Sequence, residues 1–396
     1  MKTWSLARGF RYAGVHSGIR PDPNRLDLAL IVSDSPCSAA GVFTQNRVCA
    51  APVRVCRERL PSAAARGIVV CSGNANACTG RRGLEDARRM TERAAQALGV
   101  QSEQILVCST GVIGRLLSMP VIETGIDKAV QDLGHDAGAL DRAAHAILTT
   151  DTRIKVSTRT VNLGGAEVRL TGFAKGAAMI GPNMGTMLAF IMTDACVGED
   201  DLAALAPRAA AQSFNCVSVE GHTSTNDSLL FLANGQGQPL QGADLDRFND
   251  AATSVCADLA RAIAADAEGA NHLVTIHVDG TRTEAEAHKI AKAVAESALV
   301  KTAIFGGDPN WGRIVSAAGY AGVVFEEADL SLWLGDFLLY DKGTPVPFDA
   351  PTVSAFIKSN RELTMRLLFT LGSARCTYYT CDLTYEYVRL NAYYTT

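Results

Sequence analysis

Short apolar runs alternate with amphipathic stretches through most of the chain, which predicts an α/β or α+β architecture. Gly67–Cys71 reads as a buried strand, followed by a loop of small and polar residues from Ser72 to Gly80. A helix is expected over Leu84–Leu98, supported by Glu85 and Arg89 at i,i+4 spacing. Ile105–Cys108 reads as a second short strand, running into Ser109-Thr110-Gly111-Val112-Ile113-Gly114, and Asp141–Leu148 as a helix. Ile154–Val161 and Ala166–Phe173 alternate with period two around Gly164-Gly165, a hairpin signal. Met187–Met192 and Leu273–Val278 read as strands, Asp200–Gln212 and Ala251–Ala265 as helices, and Gly235–Pro239 as a surface loop. Neither an internal repeat nor a long linker interrupts this pattern, so interleaved domains are expected.

Composition narrows the class. The chain has 396 residues, 47% hydrophobic and 20% charged, with a net charge of −4. That balance excludes disorder and argues against nucleic acid or an anionic membrane as the main partner. The N-terminal MKTWSLARGFRYAG lacks an apolar core, so no signal peptide is expected. The uncharged stretch Gly176–Thr193 contains Pro182, Asn183 and three glycines, which argues against a membrane span. Eleven cysteines, with no C-x-x-C pair, do not make a disulfide framework; they read as small buried hydrophobes in a reducing cytoplasm. The seven histidines are scattered, so no metal site is expected. Walker, Rossmann and nucleophile-elbow motifs are absent, so a nucleotide cofactor is not indicated. The residues alone thus give an α/β protein with Gly/Asn/Thr-rich loops at strand ends, suited to a small ligand.

The segment Lys175–Phe190, KGAAMIGPNMGTMLAF, resembles the self-cleaving centre of the glutamate N-acetyltransferase (ornithine acetyltransferase) family. Ser72–Gly80, Ser109–Gly114, Thr223–Asp227, Asp308–Arg313 and Asn391–Thr396 are similar to further blocks of that family, in its order, across essentially the whole chain. The resemblance implies self-cleavage at Gly185–Thr186, giving pieces 1–185 and 186–396 with Thr186 as the nucleophile. A threonine hydroxyl is a poor nucleophile without a base, and the new α-amine, with a reference pKa of about 7.7–8.0, supplies one on the same residue. Gly185, lacking a Cβ, tolerates the backbone angles that bring Oγ to its own preceding carbonyl.

By the same resemblance Thr110 and Gly111 form the oxyanion hole, although Ser109-Thr110-Gly111 alone is equally a turn or a helix N-cap. Substrate contacts fall on Thr149, Lys175, Thr186, Glu268, Asn391 and Thr396. Lys175 and Thr149 suit an α-carboxylate; Glu268 suits the side-chain amine of ornithine, or is a solvated helix end before Gly269. Asp308–Arg313 reads as structural support or a substrate contact, and Thr223–Asp227 as a brace for the nucleophile or an Asx-type turn. Departures from the family pattern are Gly185 for alanine, His222 for aspartate, Asn271-His272 for Thr-Lys and Cys49 for lysine. Those at 222 and 271–272 raise the question of another acyl acceptor.

The implied reaction moves acetyl from N2-acetyl-L-ornithine to L-glutamate through an acetyl-Thr186 ester. It needs no cofactor, and acetyl-CoA is left open as an alternative donor. Two other readings remain: an amidase or aminopeptidase on the related self-processing fold, and an uncleaved amino-acid binder. The implied fold is an α-β-β-α sandwich of the N-terminal-nucleophile type, with a smaller C-terminal α/β subdomain from about Glu284 to residue 396. The implied assembly is α2β2, in the cytoplasm.

Overall fold

The computed structural model describes residues 4–181 and 187–393. In chain order come β1 (Phe10–Val15), β2 (Leu28–Phe43), α1 (Ala51–Arg59), β3 (Ser62–Asn74), α2 (Gly80–Leu98) and β4 (Ile105–Val112). They are followed by α3 (Met119–Gln131), α4 (Ala137–Ala146), β5 (Lys155–Leu163), β6 (Ala166–Lys175), β7 (Leu188–Thr193) and α5 (Glu199–Ala211). Next are β8 (Val217–Ser218), β9 (Ser228–Ala233), α6 (Gly242–Ala265), β10 (Leu273–Thr281), α7 (Glu284–Glu296), α8 (Ala298–Gly306) and α9 (Trp311–Gly319). The chain closes with β11 (Leu330–Leu334), β12 (Phe337–Asp341), β13 (Thr344–Pro345), α10 (Ala350–Ser359), β14 (Glu362–Phe369), β15 (Ala374–Cys381) and α11 (Tyr385–Tyr393).

The first sheet runs β4-β3-β2-β9-β7-β6-β5, with β1 added to β2. Its hinge is β2, a strand of 16 residues whose pairing with β3 shifts register after Val32 and again after Cys37. Residues 28–33 of β2 pair with β1, and residues 38–43 pair with β9. One strand therefore carries the sheet from one layer into the next. The packing shows the fold-over, because Tyr12 of β1 meets Phe173 of β6 edge to face, with centroids 6.4 Å apart.

All six residues of β7 are buried, and successive side chains point to opposite faces. Leu188, Phe190 and Met192 join the core of β1–β4 and α1–α4, whereas Ala189 and Ile191 join a second core under α5 and α6. Full burial of an aliphatic or aromatic side chain contributes about 1.5–3 kcal/mol, so a strand buried on both faces is strongly fixed. Helices outside and strands inside make the expected α-β-β-α sandwich.

A separate sheet, β13-β12-β11-β14-β10-β15-β8, packs under α7–α10 around a third core. The sheet of this C-terminal unit takes in β10 from Leu273, upstream of Glu284, between β14 and β15, and is edged by β8 from earlier in the chain. The hairpin expected around Gly164-Gly165 is β5–β6, with Leu163 opposite Ala166 and both glycines at positive φ (58° and 79°). Arg89 does not pair with Glu85. It reaches across to Glu123 of α3 at 2.9 Å, since α2 and α3 pack side by side. No cysteine among the described residues is in a disulfide, and seven of the eleven are buried. None of the described helices is long and apolar enough to cross a membrane.

Candidate active site

The parallel strands β3 and β4 end together at the site, with Ser72 opposite Thr110 and Gly73 opposite Gly111. Thr110 and Gly111 therefore belong to a strand, not to a turn or a helix N-cap. Gly111 has φ 130°, and a Cβ there would stand 2.4 Å from the Gly73 carbonyl carbon. Only glycine fits that approach. The strand end leaves Thr110 2% exposed.

Lys175, the last residue of β6, is buried beside it, with Nζ donating to Thr110 Oγ1 at 3.5 Å. Burial lowers the affinity of Lys175 for its proton, and the nearby Asp151 carboxylate opposes that effect. Asp151 is the organising acid of this region. Its Oδ1 accepts from Lys155 Nζ at 2.6 Å and Gly176 N–H at 2.6 Å, while Oδ2 accepts from Thr149 N–H at 3.0 Å and lies 3.9 Å from Lys175 Nζ. Burial works to raise its pKa, but the charges of Lys175 and Lys155 outweigh it and hold the carboxyl well below the usual range. Lys155 is held in turn by Asp266 at 2.6 Å. One carboxylate thus fixes the turn carrying Thr149 and the start of the segment leading to the expected cleavage point.

The loop before β9 braces the strand ends. Asn226 Nδ2 donates to Ser109 O at 2.7 Å and to Ala75 O at 2.6 Å. Asp227, fully buried, accepts from Met187 N–H at 2.9 Å, and its other oxygen has no partner among the described residues. Burial pushes this carboxyl well above the usual range, with the Met187 amide opposing. On the other side of the junction segment, Val219 N–H donates to Ile180 O at 2.9 Å, and burial pushes the neighbouring Glu220 carboxyl up to about 7.

The outer rim comes from the turn after α6 and from α11. Glu268 N–H donates to Ala177 O at 2.9 Å, and Asn391 Nδ2 donates to Glu268 Oε2 at 2.9 Å. Thr110, Gly111, Thr149, Lys175, Glu268 and Asn391 all line one cavity of about 100 Å³. Gly185, Thr186 and Thr396 lie outside the described residues. The sequence reading missed Asp151, although it stands two residues beyond Thr149, and it left the role of Asn226 open.

Other flagged positions sit elsewhere. His272 is held by Asp382, with Nδ1 2.8 Å from Oδ2, and neither it, Asn271 nor His222 lines the cavity. His222, Asn271 and His272 are therefore not part of the cavity wall. Trp311 stacks on Tyr340 at 5.4 Å and Asn310 caps α9, which makes Asp308–Arg313 a support of the C-terminal unit. Among the described residues no cluster of three or more His, Cys, Asp or Glu is placed to hold a metal ion.

A small cavity at converging strand ends, walled by a buried lysine and a hydroxyl and flanked by an acid and an amide, is the build of an enzyme. Among enzymes, the chain belongs to the ArgJ family, whose sequence model matches residues 11–396. It is 46% identical to "Arginine biosynthesis bifunctional protein ArgJ 1" of a Nostoc species, over 98% of this chain and 97% of that protein. It is 45% identical to "Arginine biosynthesis bifunctional protein ArgJ" of Geobacter sulfurreducens, over 98% and 99%. A crystal structure of ornithine acetyltransferase complexed with ornithine, from Mycobacterium tuberculosis, is 36% identical, covering 45% of this chain and 93% of its own, with a TM-score of 0.40.

Proposed function

We propose that this enzyme transfers acetyl from N2-acetyl-L-ornithine to L-glutamate through an ester on Thr186, after cutting its own chain between Gly185 and Thr186. The observation that carries this reading is the convergence of Thr110, Gly111, Thr149, Lys175, Glu268 and Asn391, dispersed in sequence, on one cavity. Membership of a family whose relatives are named for arginine biosynthesis supports it.

The free α-amine of Thr186 takes the proton from Oγ as it attacks the acetyl carbonyl. Thr110 and Gly111 donate to the oxygen that becomes negative. Because Lys175 Nζ donates to Thr110 Oγ1, the hydroxyl proton of Thr110 is left to point at that oxygen. Lys175 and Thr149 hold the α-carboxylate, and Glu268 with Asn391 receives the ornithine amine. The same amine passes that proton to the departing ornithine nitrogen; the amine of glutamate then attacks the ester, and its lost proton returns to Thr186 Oγ as the ester bond breaks. One amide is exchanged for a similar one, so no cofactor is required, and acetyl-CoA is an alternative donor. The two pieces remain one body through β6 and β7, assembled as α2β2 in the cytoplasm.

The test is mass spectrometry. The mature protein should give two fragments, and N-acetylornithine alone should add one acetyl mass to the fragment beginning at Thr186. Glutamate should discharge that adduct, with parallel lines in double-reciprocal plots. A folded, uncut chain that takes up no acetyl would sink the proposal, and release of acetate without any acceptor would turn it into a hydrolase.

A further inference from the structure

A second cavity of about 580 Å³ adjoins the first and shares Gly111, Thr149 and Glu268 with it. Arg20, Arg25 and Arg115 line it. Given the transferase reading above, this bears on a chemical problem. Donor and acceptor present the same α-amino acid head to one nucleophile, but their side chains end in opposite charges. Glu268 suits the donor's amine and repels the acceptor's carboxylate. We propose that Arg20 is the specificity-determining residue for the acceptor, taking its distal carboxylate in this second lobe.

Arg20 is held in place before any ligand arrives. The buried carboxylate of Asp27 accepts from Ser17 N–H at 2.6 Å, Ser17 Oγ at 2.7 Å and Arg20 N–H at 3.0 Å, moulding the loop that carries the arginine. The guanidinium donates to Leu148 O, on the turn that leads to Thr149. Its stem crosses Gly73, where a Cβ would come within 3.0 Å of Arg20 Cγ. Gly73 pairs with Gly111, so Arg20 lies over the strand end that carries the oxyanion donors, close enough to Lys175 for the two charges to oppose each other. Arg25, tied to Thr149 O at 2.6 Å, adds positive charge on the same wall. Of the facing acids, Asp151 is paired with Lys155 at 2.6 Å and lies 3.9 Å from Lys175, and Asp22 accepts from Asn24 N–H at 3.0 Å. A planar guanidinium matches a carboxylate with two parallel hydrogen bonds.

The test compares glutamate with glutamine, its neutral near-isostere, as acceptors from the acetyl-enzyme. Wild type should prefer glutamate. Arg20→Gln should raise KM for glutamate about 10- to 100-fold and bring the glutamate/glutamine ratio close to one. KM for N-acetylornithine should move less than about threefold. Arg20→Lys should recover part of the preference, and thermal unfolding of both variants monitors the fold. An unchanged glutamate/glutamine ratio overturns the proposal, as does an equal loss with donor and acceptor. An effect confined to KM for acetyl-CoA would overturn it too, because the arginines would then read phosphate. Wild type that forms the acetyl adduct yet shows no preference for glutamate overturns this proposal alone, whereas no adduct overturns the transferase reading with it.

Discussion

The two sides of the cavity are built differently. Thr110, Lys175 and Asp151 are buried, anchored on strands or on a buried ion pair, and linked to one another within 3.9 Å. Glu268 and Asn391 sit at a helix–strand turn and on the C-terminal helix, partly or fully exposed, and are joined by a single hydrogen bond. A group that meets a developing charge must be in position before the reaction, and burial makes its electrostatics stronger. A group that meets first one side chain and then another gains from being adjustable. The contrast teaches that one wall of the cavity is fixed by burial and the other is free to adjust.

Removing Thr110's hydroxyl puts this division under the greatest strain. Thr110→Ala should lower kcat by about 10²- to 10³-fold with little change in KM, and should slow self-cleavage as well, read by intact mass over time. A normal kcat in a folded variant would erase the rigid side of the contrast. Asp151→Ala leaves Lys155 and Lys175 buried without their shared anion and should destabilise the protein by about 3–5 kcal/mol, measured by urea unfolding. A loss below about 1 kcal/mol would mean that the cluster is not what fixes this wall.

Glu220 gives a smaller, pH-dependent effect. Its carboxyl rises from 4.5 to about 7 on folding, so the folded state binds the proton more tightly than the unfolded one. Its contribution is therefore most favourable below about 4.5, falls as pH rises to about 7, and is flat above, a total of about 3 kcal/mol. Glu220→Gln should remove that slope and leave a protein more stable than wild type at alkaline pH. The smallest effects are expected on the adjustable side. Glu268→Gln and Asn391→Ala should each raise KM for N-acetylornithine about tenfold or less, leaving kcat within a few-fold in steady-state assays. A collapse of kcat in either variant would move the rim into the chemistry.

Local features of the fold were legible in the sequence. Gly164-Gly165 announced the β5–β6 hairpin because both glycines occupy positive φ and the flanking strands alternate. β2 was not legible, because Asp34-Ser35-Pro36 interrupts its apolar run where the strand passes from one layer to the next. The ends of β3 and β4 looked like loops, since Ser72–Asn74 and Ser109–Gly111 are small and polar for the sake of the site and not of the sheet. The residues of the cavity were found through resemblance to a family, not through spacing. Asp151 escaped because its importance arises only when Lys155, Gly176 and Thr149 meet around it.

The register of β6 with β7, Lys175 opposite Leu188 and Leu170 opposite Thr193, has a consequence for the life history of the molecule. These neighbours lie on opposite sides of the Gly185–Thr186 bond. If the chain cuts itself there, as proposed, the paired strands would hold the pieces together, but the single thread along which the chain folded would be lost. Before the cut, refolding is a one-body process whose rate does not depend on concentration. After it, refolding requires two partners to meet, so recovery from denaturant should slow on dilution for the processed protein and not for an uncut Thr186→Ala chain. Maturation would then be a one-way step, leaving an enzyme that lasts as long as its first folding survives.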